Sequence, residues 1–247
     1  GEAQQVLTAP RAEYTRRLLR SVPTAEARGR SLTTGEPLPA PAATAAGVPV
    51  VRVHGATKRY RAAGRGTLTA VDDVSFELAA GEVLGIVGES GSGKSVSSLA
   101  VMGLLPRTAR VEGDIRLKGQ SLLGLGDARL SKLRGDTVSM VFQDPLSALT
   151  PVYRIGDQIA ETVLAHKHVS RDEADRRAVE LLDAVGIPNA KLRARSFPHE
   201  FSGGMRQRAM IAMVIANDPE LIIADEPTTA LDVTIQAQVM DLLRTAQ

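Results

Sequence analysis

The pattern of apolar and polar positions divides the chain into a quiet front part and an ordered α/β remainder. Val50, Val51 and Val53 open one strand, and Val71, Val74, Phe76 and Leu78 alternate as a second, followed by the turn residues Ala80 and Gly81. The run Val83, Leu84, Gly85, Ile86, Val87 is continuously apolar and ends at a glycine cluster, which predicts a short strand buried on both faces. A helix should follow from Ser97 to Leu105 and stop at Pro106. Residues 145–216 read as mainly helical. Within them Ser170 and Glu173 form a capping box ahead of Ala174, Ala178, Leu181, Leu182 and Val185 on one face, and Gly186 closes that helix. Leu221, Ile222, Ile223 and Ala224 predict another buried strand that runs straight into Asp225 and Glu226. Strands flanking a helical stretch imply an α/β core with an inserted helical subdomain at about 145–209. No internal repeat occurs in 50–247.

The front part is different. Residues 1–23 hold a short amphipathic pattern in which Tyr14, Leu18 and Leu19 oppose Arg11, Arg16, Arg17 and Arg20. Residues 24–49 are rich in Ala, Pro, Thr and Gly without either period, and are expected to be a flexible linker. The folded domain is expected to span 50–247.

Composition narrows the chemistry. The 247 residues are 43% hydrophobic, ordinary for a globular chain, and include no cysteine and no tryptophan. Disulfides, cysteine metal sites and cysteine nucleophiles are therefore excluded, and the count fits a reducing compartment. A formal charge of +2 gives no argument for a nucleic-acid or membrane surface. No run reaches the roughly 18 apolar residues that span a bilayer, the longest candidate being Ala209 to Ala216. The first residues lack the apolar core of a signal peptide. Membrane association is expected to go through another protein.

Gly88, Glu89, Ser90, Gly91, Ser92, Gly93, Lys94, Ser95 match the complete phosphate-loop pattern between a predicted strand and a predicted helix. Glycines let consecutive N–H groups curl around a phosphate, and the helix points its positive end at the same anion. Lys94 would reach the β- and γ-phosphates and the Ser95 hydroxyl would ligate Mg²⁺. Asp225 stands where a nucleotide-binding fold places the carboxylate for Mg²⁺, and Glu226 beside it is suited to polarising a water; a solvated strand end is the alternative for the pair read alone. Ser202, Gly203 and Gly204 precede an apolar helix, as a second phosphate-holding N-terminus or simply as a well-capped loop.

Taken in order, the phosphate loop, the Ser202-Gly203-Gly204 loop and the strand ending Asp225-Glu226 resemble the ATPase domain of ABC transporters over about residues 50–247. The resemblance implies a P-loop NTPase core of ABC type with an antiparallel β subdomain at its start. It implies ATP and Mg²⁺ as cofactors and a composite site, in which the Ser202 to Met205 loop of one domain caps the phosphate held on Lys94 of a second. Tyr60 occupies the position of the ring that stacks on adenine, with a core side chain as the alternative. Gln143 occupies that of the glutamine touching Mg²⁺ and the attacking water, with a plain strand-end polar residue as the alternative. Asp232, in Ala230-Leu231-Asp232, resembles the loop that crosses between the two domains. Glu226 and Gln143 are thus the implied catalytic pair, and Ser95, Gln143 and Asp225 the implied metal ligands.

The wording Phe142-Gln143-Asp144-Pro145-Leu146-Ser147-Ala148-Leu149 and Pro198-His199-Glu200-Phe201-Ser202-Gly203-Gly204-Met205 is similar to the oligopeptide and dipeptide importer ATPases. That subfamily implies two transmembrane permease subunits, an extracytoplasmic substrate-binding protein and a position on the cytoplasmic face of the inner membrane. No nucleic acid is expected. Nickel importers use related ATPases, and ABC ATPases of repair and translation form a further class; those usually carry long coiled-coil or zinc-binding insertions, which are not found here. The family also implies a switch histidine about thirty residues beyond Asp225-Glu226. The sequence given ends at Gln247, and His54, His166, His168 and His199 all lie elsewhere, so nucleotide binding is expected to exceed hydrolysis for this stretch alone. Finally, Leu7 to Pro23 resembles the tail that follows an ATPase domain in this subfamily, which implies a tandem protein with a preceding ATPase half, an unrelated amphipathic extension being the alternative.

Overall fold

The structure is a computed structural model that describes residues 3–38, 48–62, 66–106, 109–229 and 231–245. Residues 39–47 of the expected linker, and Ala230 of the triplet before Asp232, lie outside the described residues.

The chain begins with helices α1 (Ala3–Thr8) and α2 (Glu13–Ser21). Strands β1 (Val51–Ala62) and β2 (Gly66–Leu78) follow, then α3 (Lys94–Val101), β3 (Arg110–Leu117) and β4 (Gln120–Ser121). The four strands form one antiparallel sheet in the order β2-β1-β3-β4, the antiparallel subdomain expected at the start. Val51, Val53, Ile115 and Leu117 turn inward and pack with Val101 and Met102. The β1–β2 register slips between Val53 and Lys58, where the N–H of Asp73, at φ 48°, donates to the Thr57 hydroxyl.

Next come α4 (Asp127–Leu133) and β5 (Val138–Val141), all four of whose residues are buried. The elements between there and the last strand are helical: α5 (Pro145–Ala148), α6 (Ile155–Leu164), α7 (Arg171–Ala184), α8 (Ala190–Arg193), a 3₁₀ turn (Pro198–Glu200) and α9 (Gly203–Val214). The Ser170–Glu173 capping box opens α7 as the sequence predicts, and Ala174, Ala178, Leu181 and Leu182 are its buried face. They pack against Ile155, Ile159 and Val163 of α6 and Ala209 and Ala212 of α9, giving the helical part its own core. β6 (Leu221–Ala224) pairs parallel with β5, and α10 (Val233–Thr245) closes the described chain. A third cluster, Val141, Met210, Ile211 and Val239, joins β5, α9 and α10.

One expected strand is absent. Residues 83–87 take no strand conformation, and Val83 and Val87 are 72% and 92% exposed. The run was read from its apolarity alone, but a doubly buried strand also needs hydrogen-bonded neighbours on its edges. Here a cavity of about 180 Å³, lined by Leu84, Ile86, Leu221, Ile222 and Ile223, lies between this run and β6. Among the described residues no strand pairs with it.

Residues 29–38 form a compact turn in which Ser31 N–H donates to Glu36 O and Leu38 N–H to Gly29 O. It is fastened to α10, as α2 also is. The Asp241 carboxylate accepts the Ser31 and Thr33 hydroxyls, both at 2.6 Å, and the Leu32 and Thr33 N–H groups at 3.2 and 3.1 Å. Burial raises the pKa of this carboxyl, but the bonds donated by Ser31, Thr33 and the backbone outweigh it and hold it below the ordinary range. The stability it contributes is complete above the unfolded pKa near 3.9 and is lost as pH falls through the lower folded value. The wild-type advantage over Asp241→Asn in chemical denaturation should therefore be steady from about pH 7 to 5 and shrink below about 4. An advantage that persists unchanged in strong acid would refute the role given to this carboxylate.

Candidate nucleotide site

The site is assembled by the phosphate loop on one side and by the parallel pair β5–β6 on the other. Gly91 and Gly93 have φ of 82° and 94°, the left-handed region that glycine enters without penalty. A Cβ on Gly93 would lie 2.6 Å from the Ala70 carbonyl oxygen and 2.9 Å from Val71, so the loop sits directly on β2. Gly93 is also the residue before α3, so that helix starts at Lys94. The Lys94 ammonium donates to Gly88 O at 2.7 Å and Glu89 O at 2.9 Å, and is thereby held along the inside of the loop.

Register does the rest. Val141 of β5 pairs with Ala224 of β6, and the Asp225 N–H continues the ladder to Val141 O at 3.0 Å. The residues just past the two strand ends are therefore neighbours. Ser95 Oγ, on the first turn of α3, donates to Asp225 Oδ1 at 2.9 Å. Gln143 Nε2 donates to Glu226 Oε2 at 2.8 Å, and Thr229 Oγ1 donates to the same oxygen at 2.9 Å. Glu226 adopts φ 48°, a strained conformation for a non-glycine residue. In this turn its carboxylate meets Gln143 and Thr229.

Sequence reasoning singled out Lys94, Ser95, Gln143, Asp225 and Glu226, and the structure brings them together. It missed three supporting residues, two at the Glu226 turn and one against Tyr60. Thr229 is one. Gln207, 2% exposed, donates from Nε2 to Pro227 O at 2.7 Å and so ties α9 to the Glu226 turn. Lys58 is the third, its Nζ 4.5 Å from the centre of the Tyr60 ring. Gln207, just ahead of the apolar run Ala209–Val214, carries a weak signal, whereas Thr229 in a turn and Lys58 in the polar stretch of β1 carry none.

Ser202 caps α9, its Oγ accepting from Met205 N–H at 3.3 Å, while Gly203 faces open space. A Cβ on Gly204 would crowd Ile235 of α10 at 3.0–3.3 Å. Among the described residues no hydrogen bond joins Ser202, Gly203 or Gly204 to the phosphate loop. Asp232 caps α10, accepting from the Thr234 hydroxyl and the N–H groups of Thr234 and Ile235, and the Thr234 hydroxyl bond leads in drawing its pKa down.

Comparison with known families gives a match between residues 71–229, well over half of the chain, and the ABC transporter family. The chain belongs to the ABC transporter family. It is 58% identical over 181 residues to an oligopeptide transport ATP-binding protein of Mycobacterium tuberculosis, covering 73% of this chain and 30% of that protein. The corresponding Escherichia coli protein is 54% identical over 178 residues, covering 72% and 53%. A putative peptide import ATP-binding protein of Brucella suis is 52% identical over 197 residues, covering 79% and 59%. The chain thus spans about a third to somewhat over half of these relatives. Among solved structures, a dimeric ATP-binding cassette in a post-hydrolysis state with ADP and Pi is similar at a TM-score of 0.69 and 31% identity, over 78% of this chain and 81% of that one. A dimeric bacterial ABC transporter cassette matches equally well, at 30% identity. The fold is that of an ABC ATPase cassette with a P-loop.

Proposed function

We propose that this chain is the ATP-binding and ATP-hydrolysing core of a bacterial peptide importer. The observation that carries the reading is the convergence of Ser95 with Asp225 and of Gln143 with Glu226 at the mouth of the phosphate loop. On this reading Ser95 and Asp225 would serve the cation, and Gln143 and Glu226 the attacking water. Lys94 would leave the Gly88 and Glu89 carbonyls to bind the β- and γ-phosphates, with the N–H groups of residues 88–95 wrapping the same anion. Ser90, Gly91, Ser92 and Gly93 supply that wrap. Glu226, with Gln143 and Thr229 fixing its carboxylate, would orient the attacking water and take its proton. Mg²⁺, when bound, neutralises charge at the phosphate oxygens, and Ser95, Asp225 and Gln143 would hold it, an all-oxygen donor set of the kind this hard cation takes. Tyr60 would stack on the adenine.

The Ser202 to Gly204 loop, with open space beside Gly203, would cap the phosphate of a second ATPase domain, as the dimeric cassettes of similar fold suggest. Further partners would be two membrane permeases and an extracytoplasmic binding protein, with the chain on the cytoplasmic face of the membrane. Among the described residues no helix is long and apolar enough to cross a membrane. Residues 1–23 are read as the tail of a preceding ATPase half. Matched stretches of 181 and 178 residues make up 30% of the mycobacterial relative and 53% of the E. coli one, so a much longer relative exists, as a tandem protein would require. The direct test is uptake of labelled oligopeptides by cells that carry or lack the full-length gene. Uptake confined to carriers supports the reading, and equal uptake in both rejects the peptide assignment.

A further inference from the structure

Lys58 is 2% exposed, and among the described residues its Nζ has no hydrogen-bond partner. It lies across the β1–β2 ladder from Val71, among Ala56, Val96 and Ser97, against the first turn of α3. Val71 is also the side chain that a Cβ on Gly93 would strike, so the lysine sits immediately behind the phosphate loop. Burial pushes its pKa down. An ammonium in an apolar setting is costly, and a Leu or Met at this place would fill the same volume without that cost. The attractive group in reach is the face of Tyr60, 4.5 Å away, whose ring is itself only half-buried. A cation over one face of an aromatic ring fixes the ring and draws electron density from the opposite face, which favours stacking there with an electron-rich purine.

We propose that Lys58 is a positioning residue for the nucleobase, holding one face of Tyr60 so that the other receives adenine. The inference rests on the reading that Tyr60 stacks on the base. It separates Lys58 from Lys94: one lysine holds phosphate, the other acts on the base through a ring.

The test compares MgATP with inorganic tripolyphosphate, which has the phosphates but no base, as competitors of a fluorescent ATP analogue on the full-length protein. Lys58→Met should weaken MgATP about 3- to 10-fold while leaving tripolyphosphate unchanged, and should not lower the melting temperature because it relieves a buried unpaired charge. Lys58→Arg, which keeps a cation, should restore part of the base preference, and Lys58→Gln stands in if the Met variant does not fold. Tyr60→Leu should remove the same preference. Loss of preference in Tyr60→Leu with full preference in Lys58→Met and Lys58→Gln overturns the proposal and leaves base stacking intact. An unchanged preference in Tyr60→Leu overturns both. An equal loss of both ligands in the Lys58 variants would show a merely structural lysine and also overturn it.

Discussion

Glu226→Gln in the full-length transporter is expected to bind MgATP near the wild-type level and to release phosphate about 10²- to 10⁴-fold more slowly. The amide has the carboxylate's shape, and its oxygen can still accept from Gln143 and Thr229, which both donate to one Glu226 oxygen. The left-handed turn at 226 is therefore expected to survive. What disappears is the ability to take a proton from water. Phosphate release in single-turnover conditions, beside equilibrium nucleotide binding, reads the two effects separately. Turnover at the wild-type rate would remove Glu226 from the chemistry and leave it as a bracket for the turn.

Lys94→Ala should show the opposite profile, in which binding itself is lost. The ammonium is now held by two carbonyls of its own loop, Gly88 and Glu89, so it is already aimed along the curve that a phosphate would follow. Hydrogen bonds to charged groups contribute about 1.5–3 kcal/mol each, and losing two of them corresponds to an affinity loss of about 10²-fold or more. The two carbonyls face solvent when the lysine is removed, so little folding stability should go with it. Titration with a fluorescent ATP analogue, alongside a thermal melt, checks both halves. A variant that melts normally and still binds tightly would take the phosphate from Lys94.

The residues most legible in the sequence are those whose chemistry and local structure are written in one short stretch. The phosphate loop needs its glycines for backbone reasons and its Lys and Ser for chemical ones, all within eight positions. The capping box of α7 is equally local, and the alternation of Val71, Val74, Phe76 and Leu78 is a property of one strand. Legibility fails where a neighbour distant in sequence decides. The run 83–87 has the composition of a buried strand, but pairing depends on what lies beside it. The Ser31 and Thr33 hydroxyls meet a carboxylate 210 and 208 residues away, and no periodicity reports such a contact. Gln207 sits between Arg206 and Arg208 and Lys58 beside Arg59, so sequence alone assigns both to solvent, whereas the fold buries them. Pairing of Gln143 with Glu226 followed from the family resemblance. Its physical cause, the Val141–Ala224 register, required the sheet.

The exposed run 83–87 also governs how this stretch of chain behaves among other macromolecules. Val83 and Val87 stand open to solvent on a segment that pairs with no strand among the described residues. An exposed apolar segment whose backbone is not engaged in a sheet is what chaperones capture and what neighbouring copies add strands to. For the isolated stretch, this run adds to the exposed apolar surface that sets colloidal behaviour, to which the three buried clusters do not contribute. Salt that strengthens apolar association should drive copies together through it, well before temperature loosens the helical core.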